Sequence, residues 1–477
     1  MKKLSLLDAT LLVSGSMIGS GIFIVSTFMA RDLGSAGWMM ALWLITGVIT
    51  IIAALSYGEL AGMMPTAGGQ YVYIQRAYNK LTAFLYGWTV FTVIQTGVIA
   101  AVAVAFANYA GEFFPFLINP VFNAITIGTF EFTVHYSQLL AIALIVFLTY
   151  INTQGINNGK IIQLVFTSAK LIALFGLIFV GLIYGLKGNT LWENFSNAWQ
   201  ASTTSSIMVD GTITKEWIPL SGWGLAIALG ASIINPLFSS DAWNNVTFIA
   251  AEIENPKRNI PLSLFWGTFI VTIIYCLANI AYLALLPMSE IQNAAENRVG
   301  TAAVSVIFGS VAKYLMAALI MVSTFGCNNG IILAGGRLFQ TMAKDGLFFT
   351  KAAEINKNGV PAYALWVQCA WASILCLSGK YGALLTYATF ASLLFYMLTI
   401  GGLFILRKNE PDAERPYKAF GYPYVPMLYI LITAFICFAL LYNDTSRGET
   451  LIGLFIVALG FPVYYLWKDV ERRRALK

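Results

Sequence analysis

The chain has 477 residues, of which 58 % are hydrophobic and only 10 % charged. Soluble domains carry roughly 25 % charged residues, so a water-soluble enzyme or binding module is excluded. The net charge of +6 is spread over many short loops, which argues against a nucleic-acid footprint.

Apolar runs long enough for a hydrocarbon core of ~30 Å recur from end to end. Twelve are predicted, at about 9–30, 37–59, 81–111, 136–155, 158–186, 221–250, 261–286, 304–335, 362–379, 381–406, 424–442 and 449–467. The first is too long for a signal-peptide core and has no small-residue cleavage site after it, so no cleavable leader is expected. With the N-terminus inside, 20 of the 28 Lys and Arg fall in inner segments or inner span ends, seven at the outer side, and Lys170 alone lies deep within a span. That bias predicts a multi-pass protein of the plasma membrane with both termini cytoplasmic.

The first run is interrupted at Gly15-Ser16-Met17-Ile18-Gly19-Ser20-Gly21. Gly19 and Gly21 permit close backbone approach, and Ser20 is suited to cap a helix resuming at Ile22. A helix start offers N–H groups and a positive dipole end to a carboxylate. The alternative is a small-residue packing face, because Gly15 and Gly19 stand four apart. Between spans two and three, Glu59 to Lys80 is a turn-rich inner crossing marked by Pro65 and Gly68-Gly69. Glu59, like Glu252 further on, stands near an inner end, where a solvated or loop-tethering role is the default.

In span five, Lys170 stands at least about a dozen residues from either end of the span. A lysine at that depth costs about 2.5–3.5 kcal/mol on insertion scales and seeks an internal partner. Gln163, Thr167 and Ala173 share its helix face, which should point into the bundle. The polar stretch Lys187 to Leu220 reads as an outer loop over the mouth.

Span six is interrupted in turn at Asn235-Pro236-Leu237-Phe238-Ser239-Ser240-Asp241. Pro236 lacks a donor, and Ser239-Ser240-Asp241 supplies three N-cap types for a half-helix from Ala242. Asp241 is read as that cap, with a substrate-contacting carboxylate as the alternative. Carbonyls freed between Phe238 and Asp241 suit an ammonium group. Broken helices are tolerated in lipid only where the freed groups line a cavity or site, and two in corresponding places point to a transporter of inverted repeats. Donors in one break and acceptors in the other match a zwitterion. In span eight, the polar run Ser323 to Gly330 includes Ser323, whose hydroxyl could accept from Lys170; interhelical packing explains the same residues. The five cysteines lie in apolar spans and His135 stands alone, so neither a metal site nor a cofactor is expected.

The architecture predicted is therefore an all-α integral membrane fold of 12 transmembrane helices in one domain. Repeat one covers about 9–186, repeat two about 221–406, and peripheral helices about 424–467, with helices 1 and 6 broken.

In Gly19-Ser20-Gly21-Ile22-Phe23, Pro65 to Tyr71, Phe166 to Leu171, Trp243-Asn244-Asn245, Glu252 to Pro261 and Ser323 to Gly326, the chain resembles the amino acid–polyamine–organocation superfamily. It is most similar there to bacterial members of the L-amino-acid transporter branch. The resemblance covers nearly the whole chain and implies a leucine-transporter-like 5+5 inverted repeat working by alternating access. It implies that the substrate carboxylate meets amides at Ser20 and Gly21, and that its ammonium meets carbonyls at Met17, Phe238 and Asp241. The Phe238 ring would close over the ligand. Lys170 would stand near the Gly19 carbonyl and Ser323, where sodium-driven relatives hold a cation, which implies sodium-independent transport of neutral amino acids by exchange. Ser239-Ser240 and Ala242 depart from the family's Ala-Tyr and Gly, so the pocket shape differs. No cysteine lies between spans three and four, so no disulfide-linked heavy chain is expected. A proton-coupled symporter, a non-transporting amino-acid sensor and a membrane enzyme are the competing readings; the shortage of histidine and of ligand clusters disfavours the last.

Overall fold

The computed structural model describes residues 3–121, 125–127, 130–209, 212–377 and 381–475. The chain opens with α1 (Leu6–Met17), whose first turn is closed by Ser5 and Asp8. The Asp8 amide donates to the Ser5 hydroxyl, and the Ser5 amide donates back to the Asp8 carboxylate. After an unwound stretch come α2 (Val25–Leu33), α3 (Ala36–Met63), α4 (Gln70–Ala77), α5 (Lys80–Thr89) and α6 (Gln95–Ala110). A five-residue π-helical segment, Val90–Ile94, joins the last two into one rod.

A short hairpin of β1 (Ile125–Ile127) and β2 (Phe130–Phe132) precedes α7 (Tyr136–Thr153) and α8 (Ile156–Gly185). Next come α9 (Thr190–Ser196) and a second hairpin, β3 (Ser202–Val209) with β4 (Thr212–Pro219), both pairs antiparallel. The stretch expected to be a plain outer loop therefore has its own helix and hairpin. The second half runs through α10 (Gly222–Ser232), α11 (Ile234–Ser239), α12 (Pro256–Leu285), α13 (Met288–Gln292), α14 (Val299–Phe308) and α15 (Ala312–Lys344). It ends with α16 (Ala362–Cys376), α17 (Tyr381–Asn409), α18 (Tyr424–Tyr442) and α19 (Asp444–Ala475).

Among the described residues, ten helical stretches are long and apolar enough to cross a membrane; Leu6–Met17 and Ala362–Cys376 are apolar but shorter. The protein is thus a multi-pass, almost wholly helical membrane protein. Large apolar side chains point outward from α3, α7, α8, α18 and α19, among them Leu44, Phe147, Ile172, Leu431 and Phe455, as a lipid-facing surface requires. The interior packs large apolar side chains together with many buried polar ones. Ser26 donates to Asn279 at 2.6 Å, and Asn152 to Asn329 at 3.0 Å, the close interhelical bonding of helices packed in lipid.

Of the two roles expected for Glu59, solvated or loop-tethering, the structure shows the tethering one. It is fully buried and takes both arms of Arg407 at 2.9 and 2.5 Å, Arg415 at 3.2 Å and the Ala419 amide at 2.6 Å. It ties the end of α3 to the segment between α17 and α18. Glu252 pairs with Arg337.

Candidate functional site

α1 ends because Ile18 takes an extended conformation (φ −77°, ψ 96°), and Gly21–Phe23 then winds as a tight 3-10 turn before α2. An ending helix leaves carbonyls without intrahelical donors, and here three side chains of two neighbouring helices, α8 and α15, supply donors. Lys170 of α8 places its Nζ 2.6 Å from the Gly15 oxygen and 2.6 Å from that of Ile18, with the Ser323 carbonyl at 3.5 Å. Ser323 of α15 sets its hydroxyl 3.1 Å from the Ile18 oxygen and 3.2 Å from that of Gly19. Cys327 donates to Ser16 at 3.0 Å. The ammonium thus reaches Gly15 and Ile18; the Gly19 carbonyl expected for it is bonded by the Ser323 hydroxyl. Ser323 offers Lys170 its main-chain oxygen, not its side chain.

The second break differs from its sequence reading. Ile233 is itself helical (φ −62°, ψ −16°), so α10 runs almost directly into α11 through Pro236. The proline removes the donor that would meet the Ser232 carbonyl four residues back. Asn235 Nδ2 donates to that carbonyl at 3.1 Å in its place. The interruption falls later, at Ser240 to Ala242, where Ala242 adopts the left-handed conformation (φ 66°, ψ 6°). The chain then resumes as 3-10 turns over Trp243–Glu252.

Neither capping expectation holds. No side-chain cap forms at Ser20 or at the start of Trp243–Glu252. Asp241 instead turns its carboxylate to α17, accepting from the Tyr396 hydroxyl at 2.5 Å and from Ser392 at 3.4 Å.

The two breaks touch. A Cβ on Gly21 would lie 2.3 Å from Ser239 Oγ and 3.2 Å from Ser239 Cα, so glycine is needed for contact between the breaks. Gly15 likewise lies under Gln163 and Thr167 of α8, within 2.3 Å of where its Cβ would be. Its small size serves packing, as the alternative reading had it. Tyr275 of α12 bridges the breaks, its hydroxyl 3.1 Å from the Met17 carbonyl and 2.9 Å from that of Ser239. Gly68 also donates to the Phe248 carbonyl at 3.0 Å, docking the Pro65–Tyr71 turn on the resumed helix.

Between the breaks lies a small cavity. Met17, Gly19, Ser20 and Gly21 line one side and Phe238, Ser239, Asp241 and Ala242 the other, with Val98 and Val102 of α6 and Cys327 completing it. The seven residues singled out for substrate contact are thus gathered around one space; Lys170 and Ser323 stand behind the first break. A second small cavity shares Val98, Asp241 and Ala242 and continues to Gln70, Asn244 and Tyr396. Sequence reasoning missed Tyr275, Ser392 and Tyr396. A lone tyrosine in the middle of an apolar span was the available signal for Tyr275, whereas nothing local marks α17 as the partner of Asp241.

A lipid-embedded helical bundle with two broken helices facing one small buried cavity has the architecture of a solute transporter, and the protein is not an enzyme. The chain belongs to the family described as Amino acid permease, whose model matches residues 4–461, within the amino acid–polyamine–organocation superfamily. It is 29 % identical over 472 residues to the b(0,+)-type amino acid transporter 1 of Mus musculus, covering 98 % of this chain and 88 % of that one. It is 30 % identical over 471 residues to the Large neutral amino acids transporter small subunit 2 of Homo sapiens, covering 98 % and 80 %. The Asc-type amino acid transporter 1 of Mus musculus matches at 28 % over 472 residues, 98 % and 81 %.

Proposed function

We propose that this protein is a sodium-independent exchanger of neutral amino acids in the plasma membrane, with both termini cytoplasmic. The relatives named above are amino-acid transporters, one of them named for large neutral substrates. In this reading the ten long spans, the broken first helix and α16 make twelve crossings. Residues 9–186 and 221–406 form two inverted five-helix repeats, and 424–467 are peripheral.

The substrate sits in the cavity between the breaks. Its carboxylate faces the amides of Ser20 and Gly21, its ammonium the carbonyls of Met17, Phe238 and Asp241, and the Phe238 ring closes over it. The Met17 and Ser239 carbonyls share the single Tyr275 proton, and each has a second lone pair with which to accept from a ligand. The observation that carries the sodium-independent part is Lys170. Its ammonium is held by the Gly15 and Ile18 carbonyls at the unwound helix, the kind of place where a bound cation would otherwise pair the freed oxygens. No cysteine lies between α6 and α7, so a disulfide-linked partner forms no part of this reading.

Counterflow in proteoliposomes tests it. Internal unlabelled amino acid should accelerate uptake of labelled amino acid, with choline replacing sodium at no loss and an imposed pH gradient doing little. Accumulation driven by an inward proton gradient without counter-substrate would make the protein a symporter instead, and sodium dependence would remove Lys170 from its proposed role.

A further inference from the structure

The segment between α8 and α10 is polar in composition yet displays indole rings. Trp192 of α9 is 71 % exposed and Trp199 63 %, while Trp217 of β4 and Trp223 in the first turn of α10 are 42 % and 55 % exposed. Apolar surface gathered in this way marks a face that something covers.

The positions of these rings are set by the helix ends beneath them. Asn194 donates to the carbonyls of Leu283 and Leu286, at 2.8 Å each, and accepts from the Met288 amide at 2.9 Å. This pins α9 to the last turn of α12. Leu191 and Phe195 pack inward and Trp192 faces away. The Trp199 carbonyl accepts from Trp38 Nε1 at 3.1 Å, and the two rings meet edge to face at 5.2 Å, at the start of α3. Trp217 lies against Gly34 in the turn between α2 and α3. Trp223 stands 6.4 Å from Phe435 and 6.3 Å from Phe438 of α18.

The helices concerned form one flank, α10 packing on α18, α18 on α3, and α3 on α12. Below the indoles that flank is continuous with the lipid-facing surface, where Leu44, Val48, Ile273 and Leu431 are exposed. Trp266, also exposed on α12, lies about 26 Å from Leu283 along that helix at 1.5 Å per residue. Indoles at the two levels therefore bracket nearly the ~30 Å of a hydrocarbon core, the spacing of aromatic belts at membrane–water boundaries.

We propose that Trp192, Trp199, Trp217 and Trp223 form an interfacial anchor seating the α8–α10 segment in the headgroup–acyl boundary of a glycerophospholipid leaflet. The segment is then a membrane-held brace, not a lid over the mouth. It also grips the start of α3, just past the turn that follows the first broken helix, because Ser35 Oγ and the Gly37 amide both donate to the Ala198 carbonyl, the latter at 3.0 Å. The anchor fixes the depth of that turn.

The test uses the full chain in phosphatidylcholine vesicles whose acyl chains carry bromine near the glycerol end. Subtracting the emission of a Trp192→Phe/Trp199→Phe double variant isolates two indoles from the 12 in the chain. That difference emission should lose at least half its intensity in brominated relative to plain vesicles and be insensitive to iodide in the water. Quenching by iodide but not by bromine overturns the proposal; protection from both means that a protein covers the rings, and overturns it as well. A nitroxide on Trp192→Cys, corrected for label taken up by the unmutated chain, gives an independent measure. It should collide more often with oxygen than with a water-soluble nickel chelate, and the reverse order refutes the anchor.

Discussion

The two helix breaks solve the same problem by different means. At the first, backbone acceptors left by the end of α1 are met by an ammonium, a hydroxyl and a thiol, from Lys170, Ser323 and Cys327. At the second, the helix survives its proline because Asn235 substitutes for the missing donor, and it unwinds only at left-handed Ala242. There the notable group is an acceptor, the Asp241 carboxylate, held by two hydroxyls of α17. The first break is thus fastened by a cation to α8 and by a hydroxyl and a thiol to α15, the second by a carboxylate to α17, and Tyr275 hydrogen-bonds to both. Corresponding positions in two halves of a chain need not carry corresponding chemistry. What they share is an exposed backbone facing one space.

The contrast can be broken at its strongest point first. Lys170→Ala leaves the Gly15 carbonyl without its donor and the Ile18 carbonyl with the Ser323 hydroxyl alone, at about 1–3 kcal/mol for the buried unpaired group. Uptake into vesicles should fall at least about tenfold, with the sodium-free activity of the wild type as reference. Gly21→Ala pushes a methyl into Ser239 and should cost nearly as much. Partial recovery in Gly21→Ala/Ser239→Gly would show contact between the breaks to be the cause, whereas no recovery would assign the loss to the ligand site itself. Asp241→Ala should weaken transport several-fold while Asp241→Asn, which still accepts from Tyr396, retains most of it; equal loss in both would mean that the charge, not the hydrogen bond, matters. Tyr275→Phe removes one shared proton, worth about 1 kcal/mol, and should raise the substrate concentration for half-maximal uptake by about threefold to tenfold. The smallest effect is expected at Phe238, where Trp should be tolerated and Ala should lower the rate, as for a ring that closes over a ligand. Unchanged rates in Phe238→Ala would reduce the ring to packing.

Much of this was legible in the sequence, because the bilayer writes its demands as long apolar runs and makes a charged residue such as Lys170 conspicuous. The membrane-spanning character and the neighbourhood of the first break followed from those signals. The second break was misplaced because Pro236 is a strong local signal, and its neutralisation depends on which way one neighbouring side chain turns. Ala242 gave no warning, since alanine seldom adopts a left-handed backbone. For Glu59 the sequence left solvation and loop tethering open, because its partners Arg407 and Arg415 lie in the other half of the chain and no local pattern reports a contact at that separation. The caps failed because the helices restart as 3-10 turns, with geometry that takes no side-chain cap at Ser20 or Asp241.

At the N-terminal edge of the bundle, Leu4 and Ile253 pair as a single parallel bridge. The Leu4 amide donates to Glu252 at 2.8 Å and the Glu254 amide donates to Leu4 at 2.9 Å. This small splice joins the start of α1 to the end of the Trp243–Glu252 helix, the two half-helices that lead from this edge to the cavity. Mechanically it makes them one crank. A motion that swings α1 alone must break both bonds and wet two buried aliphatic side chains, whereas a motion that carries the pair together keeps all of that intact.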